Sequence, residues 1–113
     1  MIENEHIKLL ANAMDAYRLR QKMTASNVAN LDTPGYKQVS VSFEQELQQA
    51  EKSQLQGGDL SVVQPKIIQG DQKPILEHEM MEMADTQMRI QLVTRVLREN
   101  FEQIRAGITG QNR

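Results

Sequence analysis

The sequence predicts an all-α fold in which long N- and C-terminal helices pack antiparallel as a coiled-coil-like hairpin. A short middle segment is expected to be loosely ordered or β-like. Apolar residues recur at alternating steps of three and four in both terminal segments, which is the heptad pattern of helices that pack along a seam. Aromatic residues make up only 4% of the 113 residues, so a core built around large rings is not expected. This length allows one small domain.

The N-terminal seam alternates steps of three and four residues up to a turn. It consists of Ile7, Leu10, Met14, Tyr17, Gln21, Thr24, Val28 and Leu31. The pattern stops before Pro34, which cannot continue a helix. Pro34 and Gly35 suit the two central positions of a type II turn, where Gly35 takes a positive φ. We therefore predict a helix of about 25 residues, roughly 37 Å long, that ends at this turn.

The middle of the chain has a different character. Val39, Val41 and Phe43 alternate with serines, which predicts a short half-buried strand. A weak helix over residues 43–55 is the alternative at this point. A turn is expected at residues 57–59. A second extended piece should follow, with the apolar residues Val62, Val63, Ile67 and Ile68.

The C-terminal seam is longer. Its ten positions are Leu76, Met80, Met83, Gln87, Ile90, Thr94, Leu97, Phe101, Ile104 and Ile108. They predict a helix of roughly 33 residues, near 50 Å long, with Pro74 in its first turn. Acidic residues crowd its start and arginines its end, as the helix macrodipole prefers. The chain thus divides into residues 1–35, a flexible segment 36–73 and residues 74–113, with both ends forming one helical domain.

Charge and surplus apolar residues indicate how the helices associate. Each helix runs from an acidic start to a basic end, so antiparallel packing places opposite charges together. Several apolar residues fall outside the seams: Leu9, Leu19, Met23, Met81, Met88, Leu92, Val93 and Val96. A second apolar stripe on a helical hairpin is most economically buried by copies of the same chain.

The residue inventory argues against catalysis. The chain has no cysteine and two histidines, and no nucleotide-binding or nucleophile motif is present. His78 and Glu82 have the spacing of a metal pair, but a solvated helix face is the favoured interpretation. The acidic residues Glu77, Glu79, Glu82 and Asp85 are explained by the helix macrodipole. A net charge of −2 does not favour nucleic acid, so we expect no cofactor, metal or small-molecule substrate.

Targeting signals are also missing from the sequence. No apolar run approaches the roughly 18–20 residues that span a bilayer. Residues 1–6 are acidic and lack the basic-then-apolar plan of a signal peptide. If the protein leaves the cytoplasm, we expect it to do so without a cleaved signal peptide.

Residues 25–37 resemble the N-terminal signature of bacterial flagellar rod and hook proteins. The matching positions are Ala25, Ser26, Asn27, Ala29, Asn30, Thr33, Pro34, Gly35, Tyr36 and Lys37. Asn27 and Asn30 can bond backbone groups at a helix end, and residues 33–35 force the chain to reverse. Residues 79–97 are similar to the C-terminal helix of the proximal rod members of this family.

The resemblance implies a structural subunit without catalytic activity, located in the periplasmic rod of the flagellar basal body. Such subunits self-assemble with other rod proteins through coiled-coil helices and transmit torque across the periplasm. Export through the type III apparatus is also implied, with an export-gate motif of the form Phe-x-x-x-aliphatic, which Phe43 and Leu47 match. The implied partners are other rod subunits, the adapter protein at the rod base, the membrane-embedded ring and the export gate.

Two other functions remain open on the sequence. The chain resembles the flagellar axial family closely enough that another rod or hook subunit is one alternative. A helical-hairpin export chaperone or adaptor, binding a partner helix through its Met-rich face, is the other. A chaperone should form a discrete dimer at all concentrations, whereas a rod subunit should be a monomer that polymerises.

Overall fold

The chain folds into two long helices joined by a compact middle segment. The computed structural model describes residues 2–53 and 59–111; the first two residues of the predicted 57–59 turn, and residues 54–55 of the alternative helix, lie outside these ranges. The elements in chain order are α1 (Ile2–Ala29), β1 (Val39–Ser42), α2 (Glu44–Ser53), a 3-10 turn (Leu60–Val62), β2 (Lys66–Gln69) and α3 (Leu76–Gln111). The protein is therefore mostly helical, with the predicted long helix at each end.

The turn after α1 has the predicted geometry. The backbone N–H of Tyr36 donates to the carbonyl of Thr33 at 3.2 Å, which closes a four-residue turn around Pro34 and Gly35. Gly35 has φ +77°, the left-handed value that a type II turn requires at its third position. A side chain with a Cβ is strained at that value, so glycine suits this position.

The middle segment forms a strand and then a helix, so both interpretations of this stretch hold in part. β1 pairs antiparallel with β2, with Val39 opposite Gln69 and Ser42 opposite Lys66. The alternative helix, α2, begins only at Glu44. Phe43 occupies the junction between β1 and α2, and no part of its side chain is exposed.

The apolar core is small and joins three elements. It consists of Ala13, Ala16, Tyr17, Phe43 and Val93. The Tyr17 and Phe43 rings meet edge to face, with centroids 6.3 Å apart and planes at 82°, a geometry that favours aromatic pairs. Two residues with small side chains on α1 let α1 approach the other elements closely, and Phe43 fills the space that remains.

The side of α3 that faces the core differs from the predicted seam. Its most buried residues are Glu79, Thr86 and Val93, spaced one heptad apart. Ile90 and Leu97 of the predicted seam pack against the core. Other seam residues are between 41% and 58% exposed: Leu76, Met80, Met83, Phe101 and Ile108.

The rotation of α3 has a physical cause in the contacts that α1 makes. Asn27 of α1 binds Glu79 of α3, and Phe43 fills the core from one side of the helix pair. Both contacts orient α3 with its 79–86–93 line inward, which turns part of the predicted seam toward solvent. Pro74 also differs from its predicted place, because Glu79 N–H donates to the carbonyl of Ile75 at 3.0 Å and helix α3 therefore begins after Pro74.

Two cross-contacts show how residues of α1 and α3 correspond. Gln21 Nε2 donates to Gln87 Oε1 at 3.0 Å, and Asn27 Nδ2 donates to Glu79 Oε1 at 2.7 Å. Residues nearer the C-terminal end of α1 therefore contact residues nearer the N-terminal end of α3. The molecule is elongated, with extents of 65 × 33 × 14 Å.

Candidate functional site

The signature turn is joined to the rest of the molecule by the side chain of Asn27. Its Nδ2 donates to the carbonyl of Val39 at 2.8 Å, and its Oδ1 accepts from the Val39 backbone N–H at 3.0 Å. The amide thus bonds both backbone groups of one β1 residue, as a neighbouring strand would. Because Asn27 itself is 1% exposed, this pairing fixes β1 against the last turns of α1.

Glu79 of α3 joins the same group from the other side. Its Oε1 accepts from Asn27 Nδ2, and its Oε2 accepts from Gln38 Nε2 at 2.6 Å. Its side chain is almost completely buried, and a buried carboxylate needs such donors to offset lost hydration. We call the side chains of Asn27, Gln38 and Glu79, with the backbone of Val39, the Asn27–Glu79 cluster.

Other signature residues complete the end of α1. Tyr36 Oη donates to Asn27 Oδ1 at 3.2 Å and lies 3.1 Å from Ser26 Oγ. Asn30 Nδ2 donates to the carbonyl of Ser26 at 2.8 Å, and Thr33 Oγ1 donates to Asn30 Oδ1 at 2.9 Å. These bonds satisfy groups that a helix end leaves without intrahelical partners.

The remaining signature residues face outward. The exposed members are Ala25, Ala29, Thr33, Pro34, Gly35 and Lys37. The signature therefore has two sides. One side forms hydrogen bonds in and around the Asn27–Glu79 cluster, and the other lies on the molecular surface.

A charged cluster lies next to the polar one and holds α2 against both long helices. The Arg20 guanidinium donates to both Glu44 oxygens, at 2.7 and 3.0 Å, and to the carbonyl of Val41 at 2.9 Å. It also lies 5.5 Å from the centre of the Tyr17 ring. Arg89 of α3 reaches the same carboxylate at 3.2 Å and Asp85 at 2.9 Å.

These contacts shift the pKa values of the groups involved. The hydrogen bond from Arg20 holds the pKa of the Glu44 carboxyl below its usual range, while partial burial opposes the effect. The hydrogen bond to Glu44 raises the pKa of Arg20, and the bond to Asp85 raises the pKa of Arg89. All three groups therefore stay charged at neutral pH, and the cluster acts as a fixed ion pair network.

An open groove of about 550 Å³ runs along this region, between β1 and α3. Polar and charged side chains line it, among them Arg20, Glu44, His78, Glu79, Glu82, Asp85 and Arg89. Within residues 2–53 and 59–111, no group of three or more histidine and carboxylate side chains is arranged to hold a metal ion. Several of the charged groups in the groove bond one another, so the arrangement is suited to holding elements together.

The residues predicted from the sequence as an export-gate motif, Phe43 and Leu47, belong to the fold's interior or its edge. Phe43 is fully buried, and Leu47 is half-buried against the core. A receptor could contact the Phe43 side chain only in a chain from which β1 and α2 had separated.

Sequence reasoning missed the residues that hold the signature in place. The macrodipole explanation of Glu79 gives that carboxylate no partner, and no sequence pattern singles out Gln38. A signal was available, because Glu79 and Thr86 precede Val93 at heptad spacing, as Ala13 and Arg20 precede Asn27. Polar residues repeating at one heptad position on two helices indicate a buried polar contact between them.

Comparison with known proteins finds that the chain is similar to one family. A family model described as flagella basal body rod protein matches residues 7–37, which cover most of α1 and the signature turn. The chain is 28% identical over 121 aligned residues to the flagellar basal body rod protein FlgB of Bacillus subtilis (strain 168), covering 92% of this chain and 93% of that protein. These matches support a flagellar basal-body rod protein.

Two spirochaete relatives match over shorter stretches. FlgB of Borreliella burgdorferi is 46% identical over 37 residues, which are 33% of this chain and 27% of that protein. FlgB of Borrelia hermsii is 43% identical over 44 residues, which are 39% of this chain and 33% of that protein.

This similarity indicates the general role of the chain. Flagellar basal-body rod proteins are structural components of the bacterial flagellum that serve motility, and the family is not known for enzymatic activity. For this chain the similarity supports a location in the flagellar basal body and assembly with other flagellar rod components. Across residues 2–53 and 59–111, no helix is both long and apolar enough to cross a membrane.

Proposed function

We propose that this rod protein is a FlgB-type subunit of the proximal rod, which self-assembles with other rod proteins and transmits torque across the periplasm. The similarity to the Bacillus subtilis protein extends over nearly the whole of both chains, which supports the FlgB type. In this proposal α1 and α3 act as an antiparallel, coiled-coil-like pair, and residues 1–35 and 74–113 form one helical unit.

The Asn27–Glu79 cluster is the observation that carries the mechanical part of the proposal. A rod subunit must pass a twisting load from one long helix to the other without slipping. Apolar contacts resist sliding weakly because they have no direction, whereas hydrogen bonds require a particular distance and angle. Asn27 bonds α1 to β1 and to α3 through one side chain, so a load on either helix reaches the other through a fixed joint.

The exposed apolar side chains of α3 support assembly. Met80, Met81, Met88, Leu92 and Phe101 are each more than half exposed, and exposed apolar surface of this extent marks an interface with other proteins. The partners we propose are other rod subunits, the adapter protein at the rod base and the membrane-embedded ring.

The export route is a further part of the proposal. We infer that the chain leaves the cytoplasm through the type III export gate, without a cleaved signal peptide, and that the gate reads Phe43 and Leu47 before folding. Burial of Phe43 supports recognition of the unfolded chain.

A secretion assay tests this route. The double variant Phe43→Ala with Leu47→Ala should be secreted several-fold less than the unaltered chain. Tyr17→Ala is the matched control, because it removes the ring that Phe43 packs against and leaves both motif residues in place. Equal losses in the two variants would show that core damage, and not the motif, limits secretion.

Complementation of a deletion strain tests the function itself. A tagged copy of the chain should restore swimming and copurify with basal bodies. A purified chain that forms only a discrete dimer at every concentration, with no tagged copy in basal bodies, would favour the export chaperone or adaptor in place of a rod subunit.

A further inference from the structure

One side of the α1–α3 pair carries exposed apolar residues of α3, Met80 and Phe101, beside half-buried apolar residues of α1, among which Met14 also packs against the core. The hydrogen bond between Gln21 and Gln87 lies on this side, and the contact is exposed. Residues seven positions apart on a helix project in nearly the same direction, within about 20°. The positions one or two heptads from these glutamines are Ile7, Met14 and Val28 on α1 and Met80, Thr94 and Phe101 on α3. We call this set, with the two glutamines, the groove strip.

The middle segment covers a different side of α1. Its hydrogen bonds with α1 include those of Asn12, Arg20 and Asn27, which bind Ser61, Glu44 and Val39. Gln21 follows Arg20 directly, so the groove strip lies about 100° further around α1 than these contacts. Met80 and Phe101 accordingly are 58% and 54% exposed.

A second exposed strip lies on the back of α3. Met81, Met88 and Leu92 are 72%, 68% and 58% exposed. Met81 and Met88 each follow a buried residue, Glu79 or Thr86, by two positions, which is about 200° around the helix. This back strip therefore points away from α1, and about 100° separates it from the groove strip.

The charges beside the two strips are opposite. Arginines border the groove strip, with Arg18, Arg98 and Arg105 each four residues beyond Met14, Thr94 and Phe101 and all exposed. Exposed acidic residues predominate around the back strip: Glu77, Glu99 and Glu102, with Arg95 as a cation among them. Complementary rims of this kind select partner and orientation more than they add affinity.

We propose that the groove strip of one subunit binds the back strip of α3 from a second copy of this chain. The inference rests on the proposed function, because it names the contact through which such a subunit would repeat. A two-fold dimer would use one strip twice and leave the other exposed on both copies. A head-to-tail contact buries both strips and leaves one of each at the ends of the array, so that the array extends as a helix.

The absence of cysteine from the 113 residues makes disulfide mapping a direct test. Single cysteines replace Met80, Gln87 or Thr94 in one tagged copy and Met81, Met88 or Leu92 in a second copy of different size. The nine mixed pairs are coexpressed in a strain that lacks the native chain, and assembled basal bodies are oxidised. Mixed disulfides should exceed either self-disulfide by at least fivefold for a set of pairs with consistent register.

Lys22→Cys paired with Met88→Cys is the control, because Lys22 is exposed on α1 about 100° beyond Gln21 and away from the groove strip. It should give only background disulfide. Self-disulfides at Gln87→Cys or Met88→Cys that equal the mixed product would show a two-fold contact and overturn the proposal. Disulfides mainly to a protein of another sequence would overturn it too, since the partner would not be a second copy.

Different results would contradict the strip contact and the proposed rod function. If the tagged chain enters basal bodies and the cells swim, but every mixed pair stays at background, the strip contact is wrong and the rod function stands. If the unaltered tagged chain is absent from basal bodies, the rod function itself is wrong.

Discussion

The middle of α1 and its signature end are held by different chemistry. Around Tyr17 the contacts are apolar, and Phe43 and Val93 pack with two alanines of α1, Ala13 and Ala16. Around Asn27 the contacts are hydrogen bonds to a backbone strand and to a buried carboxylate. Two regions about three turns apart on one helix thus meet the same partner helix in unlike ways.

The two kinds of contact have different roles: apolar burial stabilises the fold, and the hydrogen bonds fix the register between the two helices. Apolar burial stabilises about in proportion to area and tolerates a shift of one side chain past another. A buried hydrogen-bond cluster tolerates no such shift, because each displaced donor or acceptor loses its partner and stays out of water. The apolar cluster therefore contributes most of the free energy of unfolding, and the Asn27–Glu79 cluster determines which residues face each other.

Removing the Phe43 ring should cause the largest effect on stability. Phe43→Ala leaves a cavity in a core with few large side chains, and such truncations cost about 3–5 kcal/mol. Phe101→Ala is the matched control, since that ring is half exposed and its loss should cost under about 1 kcal/mol. Urea unfolding followed by circular dichroism measures both. Similar losses in the two variants would contradict the assignment of the core.

Breaking the Asn27–Glu79 cluster should lower the free energy of unfolding less than Phe43→Ala does, and its effect on hydrogen exchange should be concentrated near Val39. Asn27→Ala removes the donor to Glu79 Oε1 and leaves the Val39 backbone without its side-chain partner, which we expect to lower the free energy of unfolding by about 2–3 kcal/mol. Hydrogen exchange at the Val39 amide should rise strongly in the same variant.

Asn30→Ala provides the comparison for that measurement. The Asn30 side chain bonds Ser26 and Thr33, within the end of α1 and its turn, so its loss should cost about 1 kcal/mol and leave Val39 protected. Unchanged exchange at Val39 in Asn27→Ala would show that the asparagine does not hold the strand.

A charge on the inner side of α3 tests the contact between the long helices. Leu97 packs against the core while remaining partly exposed, so Leu97→Glu should cost about 2 kcal/mol and abolish rod incorporation and swimming. Gln103→Ala, on the exposed side, should stay within about 0.5 kcal/mol and leave swimming intact. Normal swimming of the Leu97→Glu strain would show that rod assembly does not depend on this side of α3.

Acid should weaken the charged cluster by the smallest amount. The pKa of Glu44 is lower in the folded chain than in the unfolded chain. Its contribution is therefore fully present above the unfolded pKa of about 4.3 and is lost as pH falls through the lower folded value. Below about pH 4.5 the free energy of unfolding, measured by urea unfolding, should fall less steeply in Glu44→Gln than in the unaltered chain. The difference should be well under 1 kcal/mol, because Glu44 is partly exposed. An unchanged pH profile would exclude a stabilising role for the pair.

Local patterns predicted the ends of the molecule well. Spacing of apolar residues predicted α1 and α3, and Pro34 with Gly35 predicted the turn between α1 and β1 because its requirements involve only neighbouring residues. The alternation at Val39 and Val41 predicted β1 for the same reason. The division into residues 1–35, 36–73 and 74–113 stays a prediction, as do the roles of the signature, motif and seam residues in assembly and export.

The facing sides of the helices depended on contacts far apart in sequence. A heptad pattern limits the buried side of a helix to a broad arc, and α3 could have turned Met80 or Glu79 inward within that arc. Apolar patterning favoured Met80, and the structure buries Glu79, because Asn27 and Gln38 supply two donors for its carboxylate. The sequence alone therefore determined the helices and the turn, and the tertiary structure decided the rotation of α3, since only the folded chain brings those donors within hydrogen-bond distance.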